Sequence, residues 1–188
     1  MAQIDPLLLQ QCLQKDQRAQ SKLFELCFGF LMPICLRYAN CRDDAQSYLN
    51  LGFYKILRNL KKLPPDAPFI AWARRVQINA ILDELRKDKR YRERIQVSDH
   101  QQIPEKHQTI DYDMLTLEAE DIHQMIRSLP PTTATVFNLY AIDGYKHREI
   151  AKMLKIPEGS SKWHYSEAKK RLQKMILHTQ MIKKKVAS

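Results

Sequence analysis

Apolar residues recur at intervals of three and four residues from Ala45 to Leu60, and this run is the most restrictive feature of the sequence. The spacing places the apolar side chains on one face of an α-helix. A half-buried strand would need apolar residues at every second position, and no segment of the sequence keeps that alternation. The sequence therefore predicts an all-α fold. The positions on this face are Ala45, Tyr48, Leu49, Gly52, Phe53, Ile56, Leu57 and Leu60.

Prolines divide the first half of the chain into helical segments. A helical pattern from Leu23 to Ile34 contains Pro33, which we expect to end or bend that helix because proline has no N–H to donate. The prolines between residues 64 and 68 must interrupt the run that ends at Leu60. A further helix with a strongly basic end is predicted to start near Phe69, and its expected buried residues are Phe69, Ala73, Val76, Ala80 and Leu85.

Residues 96–113 are polar and have no sustained period. A stretch of this length is long for a loop inside one compact domain, so we interpret it as a flexible linker. The sequence therefore predicts two small helical domains, residues 1–95 and residues 114–188, joined by this linker.

The second half has shorter helical segments. A helix with apolar positions Leu115, Ile122, Met125, Ile126 and Leu129 is expected to stop at Pro130 and Pro131. A short helix through Val136, Phe137 and Tyr140 follows, with Gly144 as its C-cap. The pattern then predicts another short helix at residues 147–154, a tight turn at residues 155–159 and a long basic helix at residues 160–185.

The charge balance favours a polyanionic partner. Lys and Arg number 31 against 21 for Asp and Glu, which gives a formal net charge of +10. Charge alone does not separate a nucleic acid from an anionic membrane surface. Cys12, Cys27, Cys35 and Cys41 have no zinc-ligand spacing, so buried thiols and no metal are expected. The sequence has neither a signal-peptide pattern nor an apolar run near the length of a membrane span, which predicts a cytoplasmic protein without direct membrane insertion.

The last fifty residues predict a helix-turn-helix. Ile150, Ala151 and Leu154 would anchor its first helix, and Tyr165, Ala168 and Leu172 its second. In such a unit the second helix enters the major groove, and a residue such as Arg148 at the start of the first helix binds phosphates. A helical hairpin with a solvated basic face would show the same pattern. The candidate DNA-contacting residues on the second helix are Ser160, Lys162, Trp163, Ser166, Glu167 and Lys170.

Three residues of the first half lie at helical spacing after the proline-rich loop. Trp72, Arg75 and Asn79 share one helix face, and Arg86 begins a basic strip that continues it. An aromatic ring, an amide and guanidinium groups can stack on, hydrogen-bond to and neutralise single-stranded nucleic acid. A single tryptophan is also often a core residue, so both interpretations of Trp72 stay open at this point.

These segments resemble the sigma-70 family of RNA polymerase sigma factors, in its extracytoplasmic-function group. The segment FIAWARRVQINAILDELRKDKR resembles the family's promoter-melting segment, with Phe69, Trp72, Arg75, Asn79, Asp83 and Arg86 in the typical pattern. The segment LPPTTATVFNLYAIDGYKHREIAKMLKIPEGSSKWHYSEAKKRLQKM resembles the domain that reads the minus-35 element. The segment CLRYANCRDDAQSYLNLGFYKIL resembles the helix that docks on polymerase.

The resemblance implies a division of labour. The first domain would bind core RNA polymerase and capture the melted minus-10 strand with Trp72, Arg75, Asn79 and Arg86, and the second would read the minus-35 element. It also implies promoter DNA and an anti-sigma protein as partners, no cofactor and no catalytic site. Ser47, Asn50 and Leu51 depart from the acidic and Gln-Glu residues usual in the docking helix, which predicts altered docking. The candidate polymerase-binding residues are Asp44, Ser47, Asn50, Leu51 and Tyr54.

Three other functions remain to be weighed. A stand-alone helix-turn-helix regulator would explain the second half of the chain but not the first. An enzyme is disfavoured because the sequence has no phosphate-binding glycine loop, nucleophile elbow or HExxH motif. A helical adaptor without a nucleic-acid partner would make the basic helices plain solvated faces.

Overall fold

The computed structural model describes residues 4–96 and 117–186, with side chains in 4–87 and 122–177. All regular elements in these ranges are helical, as the apolar spacing predicts, and they contain no strand. Residue contacts divide the chain into two units, Met1–Ile110 and Asp111–Ser188. The predicted linker, apart from Gln96, lies outside the described residues.

The first unit consists of α1 (Pro6–Leu13), α2 (Gln17–Tyr38), α3 (Arg42–Asn59), a 3-10 turn (Leu60–Lys62) and α4 (Phe69–Gln96). Side chains cap three of these helices: Asp5 accepts from the Leu7 N–H at 2.9 Å, Asp16 from the Ala19 N–H at 2.9 Å, and Cys41 Sγ from the Asp44 N–H at 3.5 Å. Helices α2, α3 and α4 pack on one another. Their fully buried side chains include Leu23, Leu31, Ile34, Leu49, Ile56, Ile81 and Leu82.

Helix α2 corrects two expectations. It continues through Pro33 to Tyr38, so the proline does not end it. Ile34, Cys35 and Tyr38 of the last turn are buried, and their packing outweighs the backbone hydrogen bond that proline cannot make. The helix also has the length and apolarity of a membrane span, contrary to the expectation that no run approaches one, but its apolar stripe packs on α3 and α4.

The buried face of α4 is wider than its sequence pattern suggests. Phe69, Ala73 and Ala80 are buried as predicted, whereas Val76 and Leu85 are only half-buried. Because α4 packs on both α2 and α3, it buries a broad arc rather than a single stripe. The additional buried residues are Gln77, Ile78, Ile81 and Leu82.

A buried amide connects the three main helices of this unit. Gln77 of α4 is fully buried, and its Nε2 donates to the Tyr48 carbonyl of α3 at 2.7 Å and to Cys35 Sγ of α2 at 3.2 Å. Gly52 provides the space, since a Cβ at that position would overlap the Gln77 side chain. The Gln77 Oε1 atom has no hydrogen-bond partner among the described residues. One glycine therefore permits one buried polar side chain at the centre of the helix packing.

The second unit consists of α5 (Leu117–Arg127), α6 (Pro131–Phe137), a π-helical turn (Asn138–Ile142), α7 (His147–Leu154) and α8 (Glu158–Val186). Ile126, Leu129, Ala168 and Leu172 form a buried cluster, while Ile122 is 51% exposed and does not share the predicted apolar face. Gly144 has φ +76° just after the π turn, which agrees with its predicted capping role. Helix α8 begins at Glu158, two residues before the predicted start at Ser160. Pro157 precedes it as the N-cap residue, and the Pro157 carbonyl accepts a hydrogen bond from the Ser161 N–H.

Candidate nucleic-acid interface

Helices α7 and α8 and the turn between them form the predicted helix-turn-helix. The turn depends on Lys155, whose φ of 56° is left-handed and ends α7. Ile150 is fully buried, and Ala168 and Leu172 hold α8 on the core. Tyr165 is half-buried, and its ring stacks on that of Phe137 with the ring centroids 6.2 Å apart. The predicted anchors Ile150, Ala168 and Leu172 are therefore buried, whereas Ala151, Leu154 and Tyr165 are only partly buried.

The opposite face of α8 is exposed. Trp163 is 60% exposed and lies on the outer face together with Ser166 and Lys170. At about 100° per residue, Lys162 lies on one flank of this outer face and Glu167 on the other. Ser160 is half-buried at the start of the helix, and Arg148 is exposed on α7. The structure therefore brings the predicted minus-35 residues together on and around one exposed face.

Two intrahelical ion pairs border this face. Glu158 Oε1 lies 2.9 Å from Lys162 Nζ, and Glu167 Oε1 accepts from Arg171 Nε at 2.7 Å. The hydrogen bond from Lys162 lowers the pKa of the Glu158 carboxyl, and the hydrogen bond from Arg171 lowers the pKa of Glu167. Both carboxylates are thus held in their charged form beside the outer face of a basic helix.

Contacts of two histidines connect α8 to the rest of the unit. His147 Nδ1 lies 3.0 Å from Ser161 Oγ, and His164 Nδ1 lies 3.0 Å from Thr133 Oγ1. The His147 ring also stacks on Tyr140 with centroids 4.2 Å apart. Burial lowers the pKa of both histidines, and nearby Lys162 lowers that of His147 further. These contacts join α6, the π turn and α7 to α8, and so fix which side of α8 faces outward.

The candidate minus-10 residues form a stripe along α4. Arg75 and Asn79 are exposed, Arg86 is half-buried, and the helix is continuous between them. Trp72 is half-buried, with its ring 6.0 Å from Phe69, so it both packs on the core and reaches the surface. The spacing of these residues gives a stripe about 21 Å long from Trp72 to Arg86.

Asp83 organises the cations at the far end of this stripe. Its Oδ1 lies 2.7 Å from Arg86 Nη2, and its Oδ2 lies 2.9 Å from Lys55 Nζ on α3. One carboxylate therefore holds the Arg86 guanidinium and also connects α4 to α3.

The candidate polymerase-binding residues lie on one side of α3. Ser47, Asn50 and Tyr54 are exposed, whereas Asp44 and Leu51 are half-buried. Tyr54 is the most prominent, because 56% of it is exposed and the Arg58 guanidinium lies 5.7 Å from its ring centroid. The face offers polar and aromatic groups with few charges, which suits a protein surface better than a phosphate backbone.

The cysteines behave as core residues, with one exception. Burial raises the pKa of Cys27 and of Cys35 to about 12, so these thiols stay protonated. Cys41 is half-buried rather than buried and caps α3. Within the described ranges, His, Cys, Asp and Glu form no group of three that could hold a metal ion.

Several site contacts were not predicted from the sequence. The Glu158 and Lys162 pair and the Glu167 and Arg171 pair both have i, i+4 spacing, so a search for helical ion pairs would have found them. The contacts of His147 and His164 carry no such signal, because they join residues from different helices.

Comparison with known proteins identifies what this pair of units is. The profile of sigma-70 region 2 matches residues 23–91, which include α3 and the α4 stripe. The profile of sigma-70 region 4 matches residues 119–172, which include α7 and the exposed face of α8. The chain belongs to the sigma-70 family. Within it, the chain is a sigma factor of the extracytoplasmic-function group, and it acts in promoter recognition.

Individual sigma factors show the same similarity over nearly the whole chain. The RNA polymerase sigma-H factor of Pseudomonas aeruginosa is 24% identical over 89% of this chain and 93% of its own length. The sigma factor RpoE of Bartonella quintana, solved with the anti-sigma factor NepR, aligns with a TM-score of 0.59 at 18% identity, over 83% of this chain and 95% of that one. A stand-alone regulator is disfavoured, because it would not account for the region 2 match.

Proposed function

We propose that this sigma factor binds core RNA polymerase through the exposed side of α3, captures the melted minus-10 strand along α4 and reads the minus-35 element with α8. One observation supports this assignment most directly: the candidate DNA-contacting residues fall on two exposed helix faces, one in each matched region. The α4 stripe carries an aromatic ring, an amide and two guanidinium groups, which suit unstacked bases. The α8 face has the form that enters a major groove.

The two helices of the helix-turn-helix have different proposed roles. Arg148 at the start of α7 binds phosphates and positions the protein without reading the sequence. On α8, Lys162 donates to guanine, Glu167 accepts from cytosine N4, and Trp163 makes apolar contact with a thymine methyl group. Ser160, Ser166 and Lys170 complete the contacts to the DNA.

The proposed action is binding without catalysis, in the cytoplasm. Strand opening and RNA synthesis need polymerase, and this chain supplies the surfaces that recognise the promoter. Helix α2 is assigned to the protein core rather than to a membrane, since Leu23, Cys27 and Leu31 on its apolar stripe are fully buried against protein.

An anti-sigma protein is a proposed regulator of this chain. RpoE of Bartonella quintana was solved with an anti-sigma factor, and it shares the fold of this chain. We expect such a protein to cover the α3 side or the α8 face, because covering either one would prevent promoter recognition by the complete enzyme.

The deciding experiment is run-off transcription with core RNA polymerase on a pool of genomic promoter fragments, with and without this protein. We expect discrete new start sites that share two upstream elements. A Y54A variant should lose activity through weaker polymerase binding, whereas exposed Glu25 on α2 offers an E25Q control that should retain it. Specific DNA binding without any stimulation of transcription would contradict the proposal.

A further inference from the structure

The start of α8 holds a carboxylate among cations that are expected to meet DNA. Glu158 is exposed in the first turn of α8, and its carboxylate lies 2.9 Å from Lys162 Nζ. His147 and Arg148 of α7 are also near enough to affect it electrostatically. The carboxylate therefore lies where the first turn of α8 and the basic start of α7 would otherwise present positive charge to a phosphate group.

This arrangement has a consequence for binding. A phosphate that approaches Lys162 or the N-terminus of α8 meets a negative charge already bound there. Lys162 can contact that phosphate only if the ion pair separates or if the phosphate binds beside the carboxylate. Exposed i, i+4 pairs are weak, so a phosphate can displace the carboxylate, but the repulsion between the two negative groups lowers the affinity for that phosphate.

We propose that Glu158 is a specificity-determining residue, an internal substitute for a DNA phosphate that lowers the affinity of the helix-turn-helix for non-specific duplexes. This inference rests on the proposed function of α8. In a minus-35 complex Lys162 donates to a neutral guanine acceptor, which the carboxylate does not repel, whereas on a random duplex its partner would be a phosphate, which the carboxylate repels. Glu158 thus widens the ratio between specific and non-specific affinity without touching a base itself.

The test compares E158Q with the unmodified protein, each assembled with core RNA polymerase. Promoter duplex and scrambled duplex compete for the enzyme over a series of salt concentrations. We expect E158Q to bind scrambled duplex about three- to five-fold more tightly, and the magnitude of the salt slope to rise by about 0.9, because one more cation is free to neutralise a phosphate. The promoter preference should fall by a similar factor.

Two variants separate this role from a general effect of charge or helix stability. E25Q, at an exposed position of α2 outside both proposed DNA-binding faces, changes the net charge equally but should leave binding to scrambled duplex unchanged. In a K162A background, E158Q should lose most of its effect, because its main partner is absent. Loss of helix stability alone would weaken binding in both backgrounds.

The outcomes distinguish failure of the proposed role of Glu158 from failure of the proposed function. If E158Q binds scrambled duplex no more tightly than the unmodified protein, or acts equally with and without Lys162, Glu158 has no such role. If the unmodified protein confers no promoter binding on polymerase, the proposed function itself fails, whatever E158Q does.

Discussion

Gly52 and Gln77 show how strongly a single side chain can depend on a neighbour. The Gln77 amide occupies the space where a Cβ of residue 52 would lie, and it is fully buried. The hydrogen bonds that Gln77 Nε2 donates to the Tyr48 carbonyl and to Cys35 Sγ offset part of the cost of burying the amide. Any change that displaces the amide therefore affects three helices at once.

We predict that G52A lowers the free energy of unfolding of the first unit by about 1–3 kcal/mol, because the added methyl group displaces Gln77 from a closely packed site. Urea denaturation followed by circular dichroism measures this change. G29A is the matched control: no described atom outside the local helix lies within 4 Å of a Cβ at residue 29, so alanine should stabilise α2 by about 0.5–1 kcal/mol. Equal effects of the two substitutions would contradict the packing argument.

The histidines of the second unit predict how stability depends on pH. Burial lowers the pKa of His147 and His164 in the folded state, so folding favours their neutral forms. Their contribution is fully present above the unfolded value of 6.5 and is lost as pH falls through that value towards the lower folded pKa. We expect the melting temperature of the second unit to fall between pH 7.5 and 5.5.

Trp163 fluorescence can follow this transition, once a W72F substitution removes the other tryptophan of the sequence. A further H147Q and H164Q double substitution should remove much of the decrease in that pH range. If the double variant loses stability over the same range by the same amount, other groups cause the pH dependence.

At the scale of the element, substitutions in α7 and in α8 should have different effects on DNA binding. We predict that K162A weakens discrimination at one position of the minus-35 element by about 1–3 kcal/mol. R148A should weaken binding to all sequences evenly and reduce the salt slope by about 1. Binding to a library of minus-35 duplexes, measured for both variants, separates these effects. Identical specificity profiles would contradict the assignment of base contacts to α8 and phosphate contacts to α7.

The helices themselves could largely be predicted from the sequence, because apolar spacing reports directly on which face is buried. The run from Ala45 to Leu60 lies within α3 and the first residue of the 3-10 turn, and the helix predicted to start near Phe69 begins at that residue. The expectation that Ile122 shares the buried face was wrong, and Pro33 does not end α2. Whether a proline is tolerated, or an apolar residue is covered, depends on neighbours that are distant in the sequence.

The candidate site was predictable to a similar extent. Trp163, Ser166 and Lys170 are exposed on α8 as expected, since the anchors Ala168 and Leu172 fix the opposite side. Hydrogen-bond partners on other helices were harder to predict. The buried Gln77 looks like a surface residue in sequence, because a polar residue is usually buried only where a hydrogen-bond partner from another helix is available.

At the scale of the whole molecule, the two units should be separable in binding but not in transcription. We predict that a fragment of residues 1–95 binds core polymerase and that a fragment of residues 114–188 binds a minus-35 duplex. Neither fragment, nor their mixture at micromolar concentration, should support run-off transcription, because the covalent connection gives the second contact a high effective concentration. Transcription by the mixture equal to that of the intact chain would show that the connection is dispensable.

The fit between Gly52 and Gln77 also limits how this protein can change over generations. An alanine at residue 52 is harmful while glutamine is present at residue 77, and a smaller residue at 77 leaves a cavity while glycine is present at 52. Either substitution alone should lower the stability of the first unit, whereas a matched pair of substitutions should avoid both the overlap and the cavity. We therefore expect natural relatives to keep both residues or to have replaced both, with few intermediates.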